Sequence, residues 1–168
     1  KIDALASDPV KGFFVVLDEN FSVLEKIASP ISGECTIRKS TAEKIYAICR
    51  ARDNSMKLGA LENSLSRNFA WSGISPAIAG PNFVVLNDEF GLVGGRFYGS
   101  RGLRTSIASI SFNDGKVTEL LRLPSGGDTG YPGLLLDNNT LYVSYYYQPS
   151  GVNFTNIYFA RVQVQVGN

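Results

Sequence analysis

Three times along this chain a glycine opens the same pattern: one distinctive residue, an apolar run, a tight turn and a second apolar run. The segments are GECTIRKSTAEKIYAICR from Gly33, GPNFVVLNDEFGLVGGR from Gly80 and GYPGLLLDNNTLYVSYYY from Gly130, spaced 47 and then 50 residues apart. The distinctive residues are Glu34, Pro81 and Tyr131. In these segments and in two others, alternating or apolar runs meet at turns. Those turns fall at Asp18–Asn20, Ser40–Glu43, Asn87–Glu89, Asn113–Gly115 and Asp137–Asn139. Apolar runs joined by such turns read as β-hairpins, with Asn-Asp-Gly the strongest local signal. Only Leu58–Leu65 (LGALENSL) is ambiguous between helix and strand. The class is therefore all-β.

After each hairpin the sequence supplies further strands, as in SMKLGALEN or TSIASISF followed by KVTELLRL. Four strands in about 40–50 residues is the period of a β-propeller blade. A β-sandwich competes, but does not require this regular repetition. The period divides the chain into an outer hairpin over residues 1–30 and successive four-stranded blades over 33–77, 80–125 and 127–166. Propellers close with four to eight blades. The chain thus reads as a partial or open propeller: the C-terminal part of a longer one, or a half-ring that a second copy closes.

Composition narrows the chemistry. With 44% hydrophobic and 18% charged residues, the 168-residue chain can bury a core of one domain. A net charge of +1 offers nothing to nucleic acid or an acidic membrane, and no apolar run is long enough to span a bilayer. Histidine is absent, which removes the commonest general base and metal ligand. No metal or cofactor is expected. Cys35 and Cys49 fall on neighbouring strands where a disulfide is conceivable; they read more simply as two small buried hydrophobes. The sequons at Asn138 and Asn153 carry no weight without a secretory context.

Strands that line a propeller's axis bring their first residues to one mouth. Glu34 and Tyr131 stand there, and Arg50 returns to the same rim at the end of the second strand. Arg104 opens a strand after a glycine-rich loop. A carboxylate, a phenol and arginines at one mouth make an anion site beside an acid/base pair. Arg52, Arg96 and Arg101 are rival arginines, with Arg96 first because Gly94-Gly95-Arg96 ends an inner strand pair. Asp128 reads as a cap of the turn before Tyr131, at the edge of the substrate site. Arg38 and Lys39 read as a solvated turn, and Tyr142, Tyr145, Tyr146 and Tyr147 as strand packing. Tyr131 could equally pack a loop, and Glu34–Arg50 could be a structural ion pair.

In order and setting these residues resemble the sialidase superfamily, six-bladed propellers with BNR repeats that cleave terminal sialic acids. ECTIRKSTAEKIYAICR is similar to the family's blade running from Glu to Arg, LRTSIASIS to its arginine-opened strand, and GYPGLLLDNNTLYVSYYY to its tyrosine blade. Divergent bacterial sialidase-like proteins are similar at Gly80–Phe83, Gly94–Arg96, Ser125–Leu135, Val143–Tyr146 and Ile157–Val162. The resemblance implies an exo-glycosidase with Tyr131 as nucleophile, Glu34 as its base partner and Arg50 and Arg104 in a carboxylate clamp. It also implies an acidic sugar as ligand and a secreted or periplasmic setting. The family's first clamp arginine and its acid/base aspartate belong to early blades, which nothing in this chain supplies. The Ser-x-Asp-x-Gly-x-x-Trp turn is absent too, Trp71 being the only tryptophan. Turnover by this chain alone is therefore not expected. Two alternatives stand beside the enzyme: a non-catalytic module that binds glycan or protein, and a self-associating half-propeller.

Overall fold

The computed structural model describes residues 12–29, 31, 33–63, 68–99 and 102–165. Among them are thirteen strands in four antiparallel sheets. The first sheet is the hairpin β1 (Gly12–Leu17) and β2 (Val23–Ser29). The second runs in order through β3 (Gly33–Lys39), β4 (Ile45–Ala51), β5 (Met56–Leu61) and β6 (Ala70–Ile74). The third runs likewise through β7 (Ile78–Val85), β8 (Phe90–Gly99), β9 (Gly102–Ser111) and β10 (Val117–Arg122). The last holds β11 (Thr129–Asp137), β12 (Thr140–Tyr147) and β13 (Asn156–Gln163).

The all-β class is what the chain adopts, as consecutive meanders that form blades of a partial propeller. The ambiguous Leu58–Leu65 segment is strand as far as Leu61, in β5; Ser64 and Leu65 lie outside the described residues. The last sheet has three strands among the described residues, where four were expected. No helix of the described residues is long and apolar enough to cross a membrane.

The core lies between sheets. Tyr46, Ile48, Met56 and Leu58 of the second sheet meet Phe83, Val93, Ala108 and Ile110 of the third. From the other face of that third sheet, Leu92 and Ile107 meet Leu141, Val143 and Tyr145 of the last. Successive strand residues point to opposite faces. Leu92 and Val93 thus bury in different layers, which is why adjacent residues of β8 are both apolar rather than alternating. A third layer places Phe14 against Phe69, Trp71 and Cys49.

Cys35 and Cys49 form a disulfide. The sequence reading favoured two free hydrophobes. What it missed is the register, which sets the two cysteines directly opposite each other on β3 and β4.

Glu119 anchors the outer edge of the third sheet. Arg104 forks onto it, with Nε 2.8 Å from Oε1 and Nη2 3.1 Å from Oε2. Ser106 Oγ donates to Oε1 at 2.6 Å, and Arg122 adds contacts at 3.3 and 3.2 Å. The Arg104 fork, then Ser106 and Arg122, hold the carboxyl at about 2, against an ordinary 4.5. A carboxyl depressed on folding stabilises fully above its unfolded value and loses that contribution as pH falls toward its folded one. The wild-type protein is therefore expected to lose up to roughly 3 kcal/mol between the two values. Urea unfolding across that acid range checks it: Glu119→Gln should flatten the decline, and an unchanged slope would refute the assignment.

Candidate functional site

The inner strands β3, β7 and β11 lie side by side, and their N-terminal ends build the site. Alternation along β3 turns Glu34, Thr36 and Arg38 to one face. Thr36 Oγ1 donates to the Pro81 carbonyl at 2.7 Å, and Arg38 Nη2 to Asn82 Oδ1 at 2.7 Å. Asn82 in turn donates to the Pro132 carbonyl at 2.9 Å, so a single side chain ties β3, β7 and β11 together. Arg38 also lies over the Phe83 ring, 5.9 Å from its centroid. It is a cross-sheet tie rather than part of a solvated turn; its neighbour Lys39 does pair with Glu43 in the turn.

Both β7 and β11 bulge at the site. Pairing skips from Ala79 to Asn82 on one strand and from Gly130 to Gly133 on the other, leaving Gly80-Pro81 and Tyr131-Pro132 unpaired. A bulge re-aims side chains and is often found beside functional sites. Tyr131 adopts a φ of +46°, a left-handed conformation that costs a non-glycine residue on the order of 1–3 kcal/mol. The proline that follows restricts it further. The strain aims the phenol at Glu34, across to β3. Room for the ring comes from Gly80, at φ +56°, where a Cβ would sit 2.9 to 3.1 Å from three ring atoms.

Glu34 receives donors on both oxygens. Tyr131 Oη donates to Oε1. Arg50 Nη1 lies 3.3 Å from Oε2, which also accepts the Gly80 backbone N–H at 3.0 Å. The hydrogen bond to Glu34 raises the Tyr131 phenol above its ordinary 10; burial and the Glu34 charge add to this, while Arg50 and Arg96 oppose it. At neutral pH the phenol keeps its proton, and the Tyr131 side of the pair faces solvent, 54% exposed.

Arg96 reaches the same mouth from β8. Its guanidinium lies 6.0 Å from the Tyr131 ring centroid. Nε donates to the Thr129 carbonyl, and Nη2 to Asp128 Oδ1 at 2.7 Å and to Tyr146 Oη at 2.9 Å. Asp128 therefore holds an arginine with its side chain; only its backbone carbonyl serves the turn, accepting from Gln148 N–H at 2.9 Å.

The remaining sequence candidates distribute as follows. Arg104 was expected at the mouth, but its guanidinium is committed to Glu119 and lies over Phe97 at 6.0 Å. The reason is the β9–β10 hairpin, which provides a local carboxylate for it. Arg52 lies exposed in the turn after β4, and Arg101 falls outside the described residues. Tyr145, Tyr147 and Tyr158 stack on one another as packing. Tyr146 departs from that group: alternation turns it to the other face of β12, but carries no signal of the Arg96 it meets there. Among the described residues no cluster of three or more His, Cys, Asp or Glu could hold a metal ion.

No protein-family model matches this chain, and neither does any curated protein. Among solved structures, the α-L-arabinofuranosidase from Lactobacillus brevis is similar, with a TM-score of 0.52 and 16% sequence identity. The match covers 77% of this chain and 48% of that one. The likeness is one of fold. This chain spans about half the length of that structure.

Proposed function

We propose that this chain carries one side of a sialidase-like site, which binds a terminal acidic sugar and, in the full-length protein, cleaves its glycosidic bond with retention. The observation that carries the reading is the hydrogen bond from a strained, exposed tyrosine to a carboxylate that an arginine also touches. Glycosidases ordinarily use two carboxylates. A sugar whose anomeric carbon bears a carboxylate would repel a carboxylate nucleophile, whereas a neutral phenol meets no such repulsion. The phenol's high pKa, ~10 when unperturbed, then demands a base at contact distance.

In this reading the sugar carboxylate docks against Arg50 and the Nη1 edge of Arg96, both permanently charged. Tyr131 Oη attacks the anomeric carbon as its proton passes to Glu34 along the existing hydrogen bond. Both arginines favour the developing phenolate. The leaving group takes its proton from an acid other than the groups described at this mouth, and water later releases the sugar from tyrosine. Arg104 is left out of the clamp because Glu119 occupies it. The Cys35–Cys49 disulfide supports an oxidising compartment such as the periplasm or the cell exterior.

Hydrolysis of a fluorogenic phenyl sialoside by the full-length protein and by Tyr131→Phe tests the proposal; equal rates would end it. Sugar binding without hydrolysis in the wild type would favour the glycan-binding module instead.

A further inference from the structure

Arg50, Arg96 and Tyr146 occupy one position of the repeat. Each lies on the second strand of its sheet, opposite the head of the first: Arg50 pairs with Glu34, Arg96 with Ala79 and Tyr146 with Gly130. Ala79 and Gly130 each stand immediately before a two-residue bulge. Register therefore makes Tyr146 the counterpart, one blade on, of Arg96. Its hydroxyl accepts from Arg96 Nη2 at 2.9 Å and lies 3.2 Å from Asp128 Oδ1, to which it donates. With the Arg96–Asp128 contact at 2.7 Å, these bonds close a triangle. The Tyr146 ring stacks on that of Tyr131, with centroids 6.3 Å apart and planes 13° from parallel.

We infer that Tyr146, supported by Asp128, is a positioning residue of this site: it fixes the Arg96 guanidinium beside the Tyr131 phenol and so sets the face that a bound carboxylate meets. For the identity of the ligand this rests on the acidic-sugar reading above; for Arg96 it rests on the geometry alone. Two of the three guanidinium nitrogens are committed, Nε to Thr129 and Nη2 to Asp128 and Tyr146. Among the described residues nothing engages Nη1, so that edge remains for a ligand. A phenylalanine at 146 keeps the stacked ring but opens the triangle. Asp128 then loses a donor and Arg96 gains rotational freedom.

The test uses isotope-labelled full-length protein. The Arg96 Nε–Hε NMR signal, assigned by its loss in Arg96→Lys, reports hydrogen exchange, and N-acetylneuraminate titration reports ligand affinity. Losing one hydrogen bond to a charged group predicts, for Tyr146→Phe, about tenfold faster exchange and about tenfold weaker sugar binding. Tyr147→Phe, on the packing cluster, should change neither by more than about twofold. Unchanged exchange in Tyr146→Phe overturns the positioning role. Faster exchange with unchanged sugar affinity overturns its bearing on the site. If the wild type ignores the sugar while exchange still depends on Tyr146, the acidic-sugar reading fails and the control of Arg96 stands.

Discussion

Replacing Tyr131 with phenylalanine is expected, on the proposed reading, to lower sialoside hydrolysis by the full-length protein on the order of 10³-fold or more, since it removes the proposed nucleophile. The ring stays on Gly80 and Tyr146, so folding should change little, and thermal unfolding of the variant checks that. Glu34→Gln provides the companion result. It removes the base but leaves the nucleophile, for a loss of about 10²–10⁴-fold. It also removes the negative charge and leaves only a weaker hydrogen bond to a neutral amide oxygen, so residue 34 raises the Tyr131 phenol less while Arg50 and Arg96 continue to pull it down. The phenol of Glu34→Gln should therefore ionise at lower pH than in the wild type, which an absorbance titration resolves against Tyr131→Phe. A phenol that does not move would remove Glu34 as its partner, whatever the rates show.

Phe83→Ala should destabilise the fold by about 3–5 kcal/mol, the cost of a large cavity in a close-packed layer. Phe83 is fully buried on β7, edge-on to Phe112 with ring centroids 6.1 Å apart, where the second and third sheets meet. That layer is also the foundation of the site, because β7 carries the Gly80 bulge. Leu135→Ala on β11, 63% exposed, should by contrast cost no more than about 0.5 kcal/mol. Urea denaturation of the two variants compares them directly. A small loss for Phe83→Ala would mean that the sheets do not share this core.

Much of this was legible along the chain. Glu34 and Arg50 come together through a hairpin whose turn, Ser40–Glu43, is visible in the residues themselves. Tyr131 was marked out by its glycine and proline neighbours, which a regular strand interior disfavours and β11 accommodates as a bulge. Besides the disulfide and Arg38, three assignments went differently. Arg104 finds a local carboxylate because the β9–β10 hairpin bulges after Glu119. Tyr146 leaves its tyrosine cluster because it points to the opposite face of β12 from Tyr145 and Tyr147, where its hydroxyl meets Arg96. Asp128 follows Arg96 rather than its own turn.

The amino-acid order alone determined the hairpins, the all-β class and the repeat, because these depend on turn chemistry and on a side-chain period of two, both local. Only the tertiary structure decided that Tyr131 meets Glu34 across 97 positions of chain, and that Arg96 rather than Arg104 faces them. Those meetings depend on neighbouring sheets lying side by side and on bulges. One extra residue in a strand redirects every side chain near it, and no periodicity along the chain records which way.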